Sequence, residues 1–267
     1  MRDWLQKLQA EVNRPAVRPR LPLYVQHMKI GSVEPVFMRH LALNCNKYGR
    51  EQLLKEEQLG WCVIVGQDDV TGTLNQLAAL LRDLGLAGPW RHEQLAVRNE
   101  TGVQVGTIER GAVRPFGIAT QAVHLVGRTP DGRHWVQQRA LSKPNDPGKW
   151  DTLMGGMVSA ADTMQSAVER ETWEEAGLRL SQLHQLAHDG CLTVRQPAMD
   201  GNGAGYVVED IHWYTCTVPD DVLPVNQDQE VAQFAIMNDA QLLAALRCGD
   251  FTTEAALILA SVLQLQS

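Results

Sequence analysis

The sequence predicts an α/β chain built in two parts. Segments whose apolar residues recur at helical spacing alternate with short β-branched runs, which argues for mixed helices and strands. The texture then changes at GAVRPFG (Gly111 to Gly117), a stretch punctuated by glycine and proline. We expect an N-terminal α/β domain over residues 1–115 and a second α/β domain over 116–267.

The elements follow in order. Asp3 to Val12 reads as a short helix with Trp4, Leu5 and Leu8 on one face. LPLYVQHMKIG looks extended and ends at Gly31. VEPVFMRHLAL reads as a helix with Pro35 in its first turn, where a missing N–H costs nothing. WCVIV, Trp61 to Val65, is a buried-strand candidate. TLNQLAALLRDLG is a helix expected to be capped by Thr73, striped by Leu74, Leu77, Leu81 and Leu84, and stopped by Gly85. LAVRNETGVQVGTIERG should be a hairpin turning between Asn99 and Gly102. Beyond Phe116, GIATQAVHLVGRT and HWVQQRAL read as strands joined by Thr-Pro-Asp-Gly, a strong turn signal. A helix follows, then strands in HQLAHDGCLTV, YVVEDIHWYTCTV and VAQFAIM. Two helices close the chain, one capped near Asn238 or Asp239 and one after Thr253.

Composition narrows the function. A formal charge of -7 over 267 residues argues against a protein that coats nucleic acid, which would show a basic face. Anionic substrates stay open, because a divalent cation reverses the local sign. Cys45, Cys62, Cys191, Cys216 and Cys248 are odd in number and never spaced as CxxC, so reduced thiols and a cytoplasmic location are expected. The N-terminal residues lack a signal-type apolar run, and no run is long enough to span a membrane. Neither a nucleic-acid partner nor a membrane is expected.

The stretch GGMVSAADTMQSAVERETWEEAGL, Gly155 to Leu178, places Glu169, Glu171, Glu174 and Glu175 on one short helix. Asp162 is the expected N-cap, with Gln165 three residues later, and Gly177 the C-terminal stop. At about 100° per residue, Glu171, Glu174 and Glu175 share the face of Met164, Ala167 and Val168, while Glu169 points away. A solvated acidic face should lie opposite the apolar stripe; here three carboxylates continue it. Such a group must protonate, pair or bind a metal. Arg170 can pair with Glu174 and reach around to Glu171, yet one cation cannot neutralise three anions. Oxygen-only ligation suits Mg²⁺ or Mn²⁺.

These residues resemble the Nudix box, G-x5-E-x7-R-E-U-x-E-E-x-G-U, with U a bulky aliphatic. Gly156, Arg170, Glu171, Glu174, Glu175, Gly177 and Leu178 match. Asp162 stands where the family has Glu, and Thr172 occupies the first U position. The resemblance implies a Nudix hydrolase with an α/β/α sandwich, preceded here by the additional N-terminal α/β domain. It implies that Glu171, Glu174 and Glu175 hold Mg²⁺ with the Gly155 carbonyl, that Arg170 orients Glu171, and that Asp162 and Gly156 support the loop. A further carboxylate usually comes from a later segment; Glu230 is our choice, with Glu209 and Asp210 behind it. Arg139 and Lys143 are candidates to grip phosphate oxygens, and His124 and Trp150 to contact an organic group. A homodimer is an expectation from the family alone.

The wider arrangement IGSVEP, TIERGAVRPFGI, VHLVGRTPDGRHWVQQRALSK, PGKWDTLMGGMVS and VLPVNQDQEVAQFAIM is similar to one subgroup, the N-terminal half of the fungal thiamine pyrophosphokinase fusion and related plant and bacterial proteins. That implies conversion of thiamine diphosphate analogues, such as the oxo and oxy forms, to monophosphates. Two alternatives stand beside it: hydrolysis of a nucleoside diphosphate sugar or similar derivative, and a Nudix-fold sensor without catalysis.

Overall fold

The computed structural model describes residues 2–47, 53–65 and 69–263. After helix α1 (Arg2–Glu11), strands β1 (Leu21–Val25) and β2 (Met28–Val33) form a tight hairpin with Gln26 at φ 54°. The segment expected to be one extended run is therefore two antiparallel strands, because the Gln26–His27 turn reverses the chain. Helix α2 (Pro35–Lys47) starts at its proline, and the Glu34 carboxylate accepts the N–H groups of Val36 and Phe37 at 3.0 and 2.7 Å. Strands β3 (Leu54–Glu57) and β4 (Gly60–Val63) complete a sheet ordered β2-β1-β4-β3, with β1 and β4 parallel.

Helix α3 (Val70–Asp83) begins earlier than its leucine stripe suggests. Its cap is Asp69, whose carboxylate accepts from Gly72 N at 2.6 Å, and Thr73 lies inside the helix, its hydroxyl bonded to the Asp69 carbonyl. Of the expected stripe, Leu74, Leu77 and Leu81 are buried with Leu23, Leu41, Ile108 and Phe116 in one core, while Leu84 is the half-buried C-cap just past the helix. The hairpin of β5 (Gln94–Arg98) and β6 (Gln104–Glu109) turns through Asn99 to Gly102 and packs on α3.

The larger sheet contains β7 (Thr120–Arg128), β8 (His134–Arg139), β9 (Trp150–Asp151) and β10 (Met154–Met157). After helix α4 (Met164–Ala176) come β11 (His184–Ala198), the short turn α5 (Asp200–Gly203), β12 (Gly205–Thr217) and β13 (Val231–Met237). Helices α6 (Asp239–Cys248) and α7 (Thr253–Val262) close the fold. The strand order is β11-β12-β7-β8-β13, with β10 on β7 and β9 on β8. Strand β7 pairs with β8 only at Gly127 and Arg128, then with β10 from Ala122 to Leu125. The sheet splays there, and α4 covers the splay.

Two cores occupy the two faces. Val123, Leu125, Trp135 and Met154 pack against Ala167 and Val168 of α4. Ala122, Val126, Val136 and Ile211 pack against Leu242, Phe251 and Ile258 of α6, α7 and the segment between them. Helix α1 joins this second layer through Trp4 and Leu8, and the chain after it adds Val12 and bonds to β11 through Arg195. The result is a three-layer α/β/α sandwich alongside an N-terminal α/β region. No helix among the described residues is long and apolar enough to cross a membrane.

Several hydrogen bonds join the two regions. Ser32 N donates to Phe116 O at 3.0 Å, and Ala160 N donates to Gln94 O at 2.8 Å, so β5 buttresses the loop before α4. Arg20 bonds to the carbonyls of Ser32 and Ala204.

Candidate active site

Helix α4 carries the site, and its ends explain its placement. The N-cap is Thr163, one residue after the expected Asp162; its hydroxyl accepts from Ser166 N at 3.1 Å while Ser166 Oγ accepts from Thr163 N at 2.9 Å. Ser166, not Gln165, therefore closes the capping box. Asp162 is left free to bind the helix from outside. Its carboxylate accepts from Arg170 at 2.7 and 3.2 Å and from Ser159 N at 3.2 Å. Gly177 ends the helix at φ 63°, in the left-handed conformation that a side chain disfavours.

Arg170 ties three segments together. It reaches Glu171 at 2.7 Å, Glu174 at 3.1 Å, Asp162 at 2.7 Å and the Met157 carbonyl at 3.1 Å. Burial alone would lower its pKa; the Asp162 bond and the Glu171 charge outweigh it and hold the guanidinium above its ordinary value. Burial likewise works against the Asp162 anion, and the Arg170 and Ser159 bonds reverse the sign, leaving that carboxyl below the usual range.

The acids divide by burial. Glu175 is 2 % exposed and accepts from Gly155 N at 2.9 Å and Gln137 Nε2 at 2.8 Å. Burial pushes its carboxyl up to about 8 despite those bonds and the nearby charge of Lys143. Burial also pushes Glu171 up to about 7, against Arg170, with Glu174 and Glu93 adding repulsion. Glu174 differs from expectation: its side chain is 45 % exposed, at the rim, because its position on the helix lies past the edge of the sheet-facing stripe. Glu169 is exposed, as its spacing predicts.

Two glycines let β10 pack closely on its neighbours, Gly156 on α4 and Gly155 on β7. A Cβ on Gly156 would overlap the Glu171 carboxyl group, and one on Gly155 would overlap the His124 ring. His124 is 8 % exposed, with Nδ1 2.8 Å from Thr152 Oγ1 and 3.6 Å from Asp151. Burial lowers its pKa, with Asp151 and Glu209 opposing.

The remaining candidates fall into two groups. Lys143 forms an ion pair with Glu230 at the rim and lies close enough to influence the buried Glu175. Arg139 bonds Asp151 at 3.3 Å and the Asn145 carbonyl at 3.3 Å beside them. Trp150 instead packs toward α7, its backbone bonded to Asp250 and Thr252. Glu209 accepts from Thr120 at 2.9 Å, and Asp210 from Thr193 at 2.6 Å. Three residues of the site, Gln137, Asp151 and Glu93, carry no spacing signal in the sequence. Each depends on strand pairing or on the contact between the two regions.

Among the described residues no three Asp, Glu, His or Cys side chains stand in ready ligand geometry, and Glu171 and Glu174 both bond to Arg170. The donor set nevertheless suits a hard divalent cation. It is all oxygen, and two of its carboxylates are desolvated with raised pKa values, which a bound cation would reverse.

The chain is similar to several known proteins. It is 27 % identical over 188 residues to Nudix hydrolase 20, chloroplastic, of Arabidopsis thaliana, covering 69 % of this chain and 49 % of that protein. It is 23 % identical over 240 residues to Nudix hydrolase 24, chloroplastic, of the same plant, covering 86 % and 63 %. The chain thus spans about half to two thirds of the length of these relatives. The crystal structure of DR0079 from Deinococcus radiodurans overlays with a TM-score of 0.44 at 22 % identity, covering 60 % of this chain and 92 % of that one. The family model of the NUDIX domain matches residues 119–253, which is half of the sequence and contains the whole acidic helix with its flanking glycines, and the chain belongs to that family.

Proposed function

We propose that the chain is a Mg²⁺-dependent hydrolase of a phosphoric anhydride bond in a small-molecule diphosphate. One observation carries this reading: Glu175, buried and held by Gly155 N and Gln137, stands beside Glu171 on the face of α4 that meets the glycine strand. When bound, the cation would spread phosphoryl charge and acidify a water. Glu171, Glu174 and Glu175 would hold it, with Arg170 releasing Glu174 and keeping Glu171 oriented. Lys143 and Arg139 stand at the same rim to meet phosphate oxygens. Glu230, half exposed and paired with Lys143, would accept a proton once a phosphate draws Lys143 away.

The finer reading is a thiamine diphosphate analogue, hydrolysed to its monophosphate. Its support is the similarity of the outer segments to the thiamine pyrophosphokinase subgroup.

The deciding experiment is phosphate and monophosphate release from thiamine, oxothiamine and oxythiamine diphosphates, ADP-ribose and ADP-glucose, with and without Mg²⁺. Glu175→Gln, which keeps the size and a hydrogen-bonding oxygen, should abolish turnover. Release from ADP-glucose alone would retain the chemistry and reject the thiamine reading. Tight binding with no turnover of any member would reject hydrolysis and favour a sensor.

A further inference from the structure

A cavity of about 70 Å³ lies where the N-terminal region meets the large sheet. Its walls include Arg91, Arg110 and Arg114 from the N-terminal side, and Asp200, Glu209 and Met157 from the other. The Met157 carbonyl is the one that Arg170 grips, so cavity and acidic helix share a partition. Glu93, paired with Arg110 at 2.7 Å, stands within electrostatic reach of Glu171.

Among the lining side chains, three guanidinium groups face two carboxylates. Each guanidinium carries five N–H donors, so donors outnumber acceptors even when Glu93 is counted behind the wall. Arg114 is 3.6 Å from Asp200, too long for a direct hydrogen bond. Arg91 is exposed and makes no side-chain ion pair among the described residues. The recess is sized for a small group. We propose that this cavity selects the organic end of the substrate, with Arg110 and Arg114 donating to a carbonyl or oxyanion on it. The N-terminal region thereby contributes specificity-determining residues to a site whose acids lie on α4. Selectivity follows because a ligand lacking the acceptor would leave the guanidinium groups dehydrated and unmatched, a penalty that rejects it strongly.

The inference rests on the diphosphate reading of the acids, so binding and turnover are measured separately. Full-length Glu175→Gln protein in Mg²⁺ is titrated calorimetrically with methyl diphosphate, thiamine diphosphate, 2-oxothiamine diphosphate and UDP-glucose. We expect 2-oxothiamine diphosphate or UDP-glucose, which bear carbonyl groups, to bind at least about tenfold tighter than methyl diphosphate. Arg110→Gln and Arg114→Gln, each added singly, should erase that preference and change methyl diphosphate binding by no more than about twofold. Equal weakening of every ligand, an unchanged preference in both arginine variants, or no binding of any carbonyl-bearing member would overturn the inference. Turnover of the same panel by the unsubstituted protein reports on hydrolysis alone; binding with selectivity but no turnover would leave the cavity assignment standing and reject the enzyme.

Discussion

Gly156 lies so close to Glu171 that any Cβ on it would overlap the carboxyl group. The atoms in the way belong to the end of a side chain, so a methyl group there would displace Glu171 before it unfolded the strand. Gly156→Ala should keep a melting temperature within a few degrees of the parent and lose about 100-fold in kcat, the scale of an ångström-sized misplacement. Steady-state kinetics with a melting curve separate the two effects.

Arg170 neutralises carboxylates that would otherwise repel. Arg170→Ala should destabilise the protein by about 2 kcal/mol, below the full cost of orphaning a buried charge because Glu174 can turn to solvent. Arg170→Lys should recover little, since one ammonium cannot serve Asp162, Glu171 and the Met157 carbonyl together. Denaturant unfolding without metal measures both.

The raised carboxyls also set a pH dependence. An acid with an ordinary value of 4.5 that titrates at about 7 or 8 in the fold favours the native state while protonated. The stabilisation is complete below 4.5 and is lost as pH rises through the folded values. Metal-free protein should therefore lose stability between about pH 5 and 8, and Mg²⁺ should restore it at the alkaline end. Glu175→Gln should flatten the metal-free slope; a slope unchanged in that variant would show that Glu175 does not cause it.

Thr163 anchors α4 without touching the acids. Thr163→Ala should cost about 1 kcal/mol by loss of the cap and leave kcat within about twofold, as urea titration and kinetics would show.

Legible in the sequence is whatever depends on near neighbours. The apolar stripe of α3, the glycine stop of α4 and the inward direction of Glu171 and Glu175 all follow from spacing along one helix. Caps escape it where two suitable residues compete: Asp162 stands next to Thr163, and Asp69 precedes a stretch whose Val70 and Thr71 do not advertise a helix. The exposure of Glu174 escapes it because helical projection does not say where the covering sheet ends. Gln137 reaches Glu175 across 38 positions, and Glu93 approaches Glu171 across the contact between the two regions; only the assembled fold supplies such pairs.

The bond from Ala160 N to Gln94 O makes the loop before α4 a lodger on the N-terminal hairpin. A gene rearrangement that transplanted the second half alone would carry every family signature and leave behind the backbone acceptor on which its loop leans. A change in β5 that shifted the Gln94 carbonyl would move the loop without altering a letter of the acidic motif.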